Sequence, residues 1–164
     1  MIFNRKVGLV QRVLPNYRVP FFSTLGLRCS GGLGIFAGQP RKHEAIRSVD
    51  HLDNVQLTFG NNIHFFQGVY YLCIQQGLIR WLTAWNPDVL IIEANPRYLR
   101  TSAAVRWMHR NGRPVIGWGL GAPSLSGLLS GVRRNRRQQF IQQFDVLITY
   151  SQTGAAEYAQ LGFP

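Results

Sequence analysis

Asn86-Pro87-Asp88-Val89-Leu90-Ile91-Ile92-Glu93 is the stretch whose reading decides the fold. Asn-Pro-Asp ends whatever precedes it, four apolar residues follow without alternation, and an acid closes the run. A short strand that is apolar on both sides of its pleat is covered on both faces, as a central strand of a parallel sheet is. Toward the C-terminus the same kind of run recurs between helical stretches. Ser102–Arg110 reads as a helix, closed by Asn111-Gly112 and then Pro114. Val115–Trp118 is the next strand, a basic helix covers Leu125–Phe144, Val146–Tyr150 is a strand, and Ala155–Leu161 a last helix. Apolar strand and helix alternating three times predict a parallel sheet with helices on both faces.

Toward the N-terminus the signals are shorter. Tyr70, Leu72, Cys73, Ile74, Leu78, Ile79 and Leu82 fit a helix over Val69–Trp85 better than a strand. Val55–Phe59 alternates apolar and polar residues, and Leu33–Ala37 and Val7–Val10 complete the strands. Pro20 opens a helix over Pro20–Leu25, since proline is tolerated in the first turn. The cluster Gly31-Gly32-Leu33-Gly34 precedes a strand and reads as a turn. The expectation is one α/β domain across 1–164, a Rossmann-like open parallel sheet, with no repeat, low-complexity tract or internal linker.

Composition agrees with a folded core: 46% of the 164 residues are apolar and 15% charged. The net charge of +11 comes almost wholly from arginine, Lys6 and Lys42 being the only lysines. Such a chain attracts phosphates, anionic headgroups or nucleic acid; an arginine-favouring genome with solvated side chains accounts for the total equally well. Cys29 and Cys73 sit in apolar surroundings without metal-like spacing, so two buried free thiols are expected and a disulfide or zinc site is not. The four histidines, His43, His51, His64 and His109, likewise show no ligand spacing. No metal and no cofactor are expected. Arg5-Lys6 leads directly into a strand with no signal-peptide core. The longest apolar stretch, Ile63–Trp85, is interrupted by Gln67, Gln75, Gln76 and Arg80, short of the roughly 20 apolar residues that span a bilayer.

Ligands of an open parallel sheet bind beyond the carboxyl ends of its strands. That rule selects Gln11–Arg18, Glu93–Tyr98, Trp118–Ser124 and Ser151–Gly154. Within them Arg12 and Arg18 suit a phosphate or acidic group, with Asn16 and Tyr17 beside them. Glu93 either accepts from sugar hydroxyls or pairs with Arg97 or caps a helix, and Asn95 adds a polar neighbour. Trp118 either stacks on a sugar ring or belongs to the core. Gly119-x-Gly121 lets a ligand approach the backbone ahead of a helix. A dinucleotide fingerprint is absent, because Arg12-Val13-Leu14-Pro15 stands where G-x-G-x-x-G would begin. The run Arg133-Arg134-Asn135-Arg136-Arg137 cannot lie on one helix face. It is a solvated surface or a patch for anionic membrane, and nucleic acid would want interleaved aromatics that are missing.

Four motifs in order resemble the N-terminal half of family-four glycosyltransferases of the GT-B fold. Leu14-Pro15-Asn16-Tyr17-Arg18-Val19-Pro20-Phe21-Phe22 after the first strand is similar to an opening "x-Y-R-x-P-F-F". Asp88–Glu93 with Asn95-Pro96-Arg97 resembles a mid-domain strand and loop. Pro114–Gly121 resembles a stretch that one branch writes W-G-H-G, with Leu120 standing where that branch has histidine. Phe144–Ser151 followed by Leu161–Pro164 resembles the last strand and helix of that domain. The glycine-rich loop of many relatives is replaced by Arg12–Tyr17.

The resemblance implies the acceptor-side domain of a retaining, metal-independent hexosyltransferase. Its partners would be a nucleotide-sugar, held by a second domain through an E-x7-E pair, and a saccharide or lipid-linked acceptor held here. It also implies polysaccharide or glycolipid synthesis at the cytoplasmic face of a membrane, and a chain inactive without the donor domain. The competing expectation is a stand-alone basic α/β module that docks on anionic membrane or nucleic acid and catalyses nothing.

Overall fold

The structure, a computed structural model, describes residues 2–123 and 130–163. Seven strands form one sheet: β1 (Val7–Val13), β2 (Leu33–Gly38), β3 (Gln56–Phe65), β4 (Leu72–Gln76), β5 (Val89–Glu93), β6 (Val115–Gly119) and β7 (Val146–Thr149). Their order is β4-β3-β2-β1-β5-β6-β7. Every neighbouring pair is parallel except β3 with β4. Five α-helices accompany them: α1 (Val19–Arg28), α2 (Leu78–Trp85), α3 (Thr101–Arg110), α4 (Ser130–Ile141) and α5 (Gln152–Gln160). The expected Rossmann-like α/β architecture is what is found. The beginning of the basic helix foreseen at Leu125, and Ser124, lie outside the described residues.

Two apolar layers sandwich the sheet. Phe22 of α1 packs with Leu9, Leu33 and Ile35 on one face. On the other, Leu78 and Leu82 of α2, Val105 and Met108 of α3, Ile141 of α4 and Tyr158 of α5 pack with Val10, Leu90 and Ile92. Leu90 and Ile92 are buried against the helix layer while Ile91 packs on the α1 side, so the unbroken apolar run of β5 serves both faces. Among the described residues, four helices therefore cover one face and α1 the other, and β6 and β7 on the α1 side are left partly open. Val146, Ile148 and Tyr150 are exposed there.

The expected helix over Val69–Trp85 is overturned. Residues 72–76 form β4, antiparallel to β3 with Ile63 opposite Ile74 and Phe65 opposite Leu72. Only Leu78–Trp85 is helical. Gly77 between them has φ +88, a left-handed conformation that no continuous helix accommodates. In Leu72-Cys73-Ile74-Gln75-Gln76 burial alternates, with Cys73 and Gln75 inside. Helical and strand periods coincide over so short a run, and the sheet's need for a partner along β3 selected the strand. The foreseen stop does operate: Asn86 takes φ +53 and its N–H bonds back to Leu82 O at 2.8 Å.

The remaining elements fall near their expected positions with shifted ends: β7 stops at Thr149 rather than Tyr150 and α4 at Ile141 rather than Phe144, while others run longer. α1 starts at Val19 with Pro20 in its first turn. β3 continues to Phe65 rather than ending at Phe59. α5 begins at Gln152 because Ser151 caps it, its Oγ accepting the Gly154 N–H at 3.1 Å.

Candidate functional site: a basic, aromatic cleft at the strand ends

The chain builds β1-β2-β3 outward on one side and β5-β6-β7 outward on the other, so the strand order reverses between β1 and β5. At that reversal the loops after the two strands part and leave a crevice. Glu93, the last residue of β5, stands at it. Its Oε2 accepts the backbone N–H of Arg12 at 2.6 Å, closing the seam between the two halves. No Glu93–Arg97 ion pair forms among the described residues, so neither of the structural roles foreseen for Glu93 is the one it adopts.

A cleft of about 610 Å³ opens above this seam. Seven of the sequence-selected residues line it: Arg18, Glu93, Asn95, Arg97, Trp118, Gly119 and Gly121. Three do not. Asn16 and Tyr17 are exposed on the short 3-10 turn outside the cleft. The Arg12 guanidinium turns away to Glu44 at 2.9 Å and contributes only its backbone N–H to Glu93. Of the arginine run, Arg137 reaches the cleft wall and donates to Pro123 O at 2.8 Å. Arg134 donates to Gln160 O at 3.2 Å, and Arg133 and Arg136 are exposed.

Arg18 is held by four groups. Nη1 donates to the side-chain oxygen of Gln11, a buried β1 residue. Nη2 donates to the Tyr150 hydroxyl at 3.0 Å. The guanidinium lies 5.4 Å from the Trp118 ring and 5.7 Å from that of Tyr17, within cation–π range. Trp118 is half-buried, packed edge-on to Phe22 and tilted against Tyr150 at 5.5 Å. It is thus core on one side and cleft wall on the other.

Burial pushes the Glu93 carboxyl above its ordinary pKa, against the pull of the Arg12 N–H and the charges of Arg18 and Arg12. Burial also raises Tyr98, helped by the nearby Glu93 charge, and raises Tyr150 against the opposing charge of Arg18. The cleft therefore pairs one reluctantly ionised carboxyl with three guanidinium groups and three phenols, Tyr98, Tyr150 and Tyr158. Such a set has the chemistry to hold an anion in a guanidinium fork and to offer donors and acceptors to hydroxyl groups.

The glycine pair serves packing first. A Cβ on Gly119 would sit 2.1 Å from the Tyr158 hydroxyl, and one on Gly121, at φ +111, 2.3 Å from a Glu157 oxygen. Both glycines let α5 close on the loop after β6.

Sequence reading missed Tyr150, Tyr158 and Arg137 as cleft residues, and gave no role to Tyr98 within the selected Glu93–Tyr98 segment. Tyr150 follows β7 directly and obeys the same strand-end rule one position earlier than it was applied. Tyr158 carried no such signal, since its reach depends on how α5 is phased against β6. Comparison with family models, with curated proteins and with solved structures finds no match to this chain.

Proposed function

We propose that the cleft binds the acceptor of a sugar-transfer reaction, and that this acceptor carries a phosphate or carboxylate beside its hydroxyl groups. The observation that carries the reading is the convergence of Arg18, Arg97 and Arg137 with Glu93 and Trp118 around one cavity at the point where strand order reverses. An arginine fork fixed by Gln11 and Tyr150 loses little side-chain freedom on binding, so its affinity goes to the ligand. An indole wall suits the apolar face of a pyranose, and a carboxyl with a raised pKa can accept from the attacking hydroxyl. The order of motifs that resembles a GT-B acceptor domain supports the same reading. In that role the domain orients the acceptor, while a donor domain would supply the nucleotide-sugar.

The test is titration with glucose 1-phosphate and with methyl glucoside, followed by NMR or calorimetry. The phosphate ester should bind at least about tenfold more tightly, and Arg18→Ala and Arg97→Ala should each remove most of that difference. Equal binding of the two sugars, or phosphate binding indifferent to both variants, would overturn the proposal.

A further inference from the structure

The β3–β4 hairpin rises beyond the sheet. β2 ends with Gly38 opposite Gly60, while β3 continues for five residues paired only with β4. The other edge of β4 is hydrogen-bonded at Cys73 to Arg97 O and to the Leu99 N–H, both at 2.9 Å, so the 66–71 turn is the part of this finger that stands clear of the strand-end loops. Its tip is apolar where hairpin tips are ordinarily polar. Phe65, Phe66, Val69 and Tyr70 are 40%, 69%, 76% and 76% exposed. Phe66 also takes φ +58, a left-handed conformation that asparagine or glycine meets more easily than a bulky residue. The turn does not ask for phenylalanine there, and no neighbour among the described residues covers it.

Charge around the finger is net positive. No acidic residue occurs between Asp53 and Asp88 or between Glu93 and Asp145. Asp50 and Asp53 precede β3, Asp88 precedes β5 and Asp145 precedes β7, which puts four of the seven acids toward the opposite, N-terminal edge of the sheet. Near the finger, Glu44 is neutralised by Arg12 and Arg41, and the Arg41 guanidinium lies 4.7 Å from the Tyr71 ring. Lys42, Arg97 and Arg100 are exposed. An open groove of about 710 Å³ runs along the tip between Phe66, Val69, Tyr70, Leu72 and Arg97, and Arg97 also lines the cleft.

We propose that the hairpin tip is a membrane finger that enters the headgroup–acyl boundary of an anionic bilayer. Phe66, Val69 and Tyr70 insert, and Arg41, Lys42, Arg97 and Arg100 meet the headgroups. Aromatic residues flanked by cations suit that boundary, where apolar rings and charged groups are both accommodated within about 5–10 Å. No helix among the described residues is long and apolar enough to cross a membrane, so the finger is a surface anchor. Because Arg97 belongs to both cavities, docking in this orientation sets the cleft mouth at the lipid surface. The inference stands apart from what the cleft binds.

The experiment is sedimentation of the full chain with phosphatidylcholine vesicles, with and without phosphatidylglycerol, at about 0.1 M and about 0.5 M salt. The chain should bind the anionic vesicles and retain part of that binding at high salt, where only apolar insertion persists. Phe66→Ser with Tyr70→Ser should lower partitioning at least about 30-fold. Both positions are exposed, so the fold is unaffected. An environment-sensitive dye on Gln67→Cys, with the native thiols buried, should shift to the blue on anionic vesicles. Binding unchanged in the double variant, or a dye that stays in water while the chain sediments, would overturn the proposal and point to the Arg133–Arg136 surface. A lipid-independent dimer abolished by the same variant would overturn it too, by giving the tip to a second copy. Arg18→Ala, which tests the cleft, should leave sedimentation unchanged.

Discussion

The Arg18 Nη2 donates to the hydroxyl of Tyr150, 132 positions along the chain, at 3.0 Å. That single bond ties the loop after β1 to the end of β7 across the cleft. Tyr150 is exposed, so losing its hydroxyl exposes no buried partner. Tyr150→Phe should change stability by less than about 1 kcal/mol yet weaken sugar-phosphate binding about three- to tenfold, because the fork is no longer held in place. Arg18→Lys should weaken it further, since an ammonium cannot reach Gln11 and Tyr150 together in the planar geometry of a guanidinium. Calorimetric titration beside thermal unfolding separates the two effects, and a large stability loss in Tyr150→Phe would reassign the bond to folding.

Gly119 and Tyr158 give a second pair, related by exclusion. A Cβ at Gly119 would meet the Tyr158 hydroxyl at 2.1 Å. Gly119→Ala should therefore cost about 2–3 kcal/mol by overpacking. In a Tyr158→Phe background, where the oxygen is gone, the same substitution should cost less than about 1 kcal/mol. A cycle showing no coupling in urea unfolding would mean that the glycine is required by something other than α5.

Acid sensitivity should concentrate at Glu44. Burial raises this carboxyl, but hydrogen bonds from Arg12 and Arg41 outweigh it and lower the pKa from 4.5 to about 2. A folded-state pKa below the unfolded one stabilises the protein above the unfolded value. That stability is lost as pH falls from about 5 toward 2. The side chain is 15% exposed, and the interaction is worth on the order of 2–3 kcal/mol at neutral pH. Glu44→Gln should lose about that much at pH 7 and converge with the parent near pH 2. Parallel unfolding curves at all pH values would show that the two arginines do not hold the carboxylate in solution.

The fold was legible where the signal was redundant. β5, α3, β6 and β7 announced themselves by apolar runs separated by Asn-Pro or Asn-Gly stops, and the strand-end rule then placed Arg18, Glu93, Arg97 and Trp118 on one edge. The hairpin was not legible, because five residues from Leu72 to Gln76 satisfy a helix and a strand alike until Gly77 shows its positive φ. Arg12 was misplaced for a different reason. Its residue type fits a phosphate site, but Glu44 on a loop 32 residues away captures its side chain. Such pairings depend on which loop folds over which strand end, and local pattern holds no record of that.

Glu93 provides the last prediction. Burial raises its pKa, so the sign is opposite to that of Glu44. Its contribution is fully present below the unfolded value and is lost as pH rises through the folded one. Glu93→Gln keeps an oxygen to accept the Arg12 N–H while removing the charge that burial penalises. The variant should unfold at a higher temperature than the parent at pH 8 and at a similar temperature near pH 4. Where the parent carboxyl is ionised, the variant's anion affinity should be about three- to tenfold higher, because one negative charge has left a site formed by three arginines; where the parent is protonated, the two should bind alike. If Glu93 serves as the base for an incoming hydroxyl, the gain in binding should be accompanied by loss of transfer in any system where turnover can be followed. Tighter binding with undiminished transfer would leave Glu93 the task of joining β1 to β5 and nothing more.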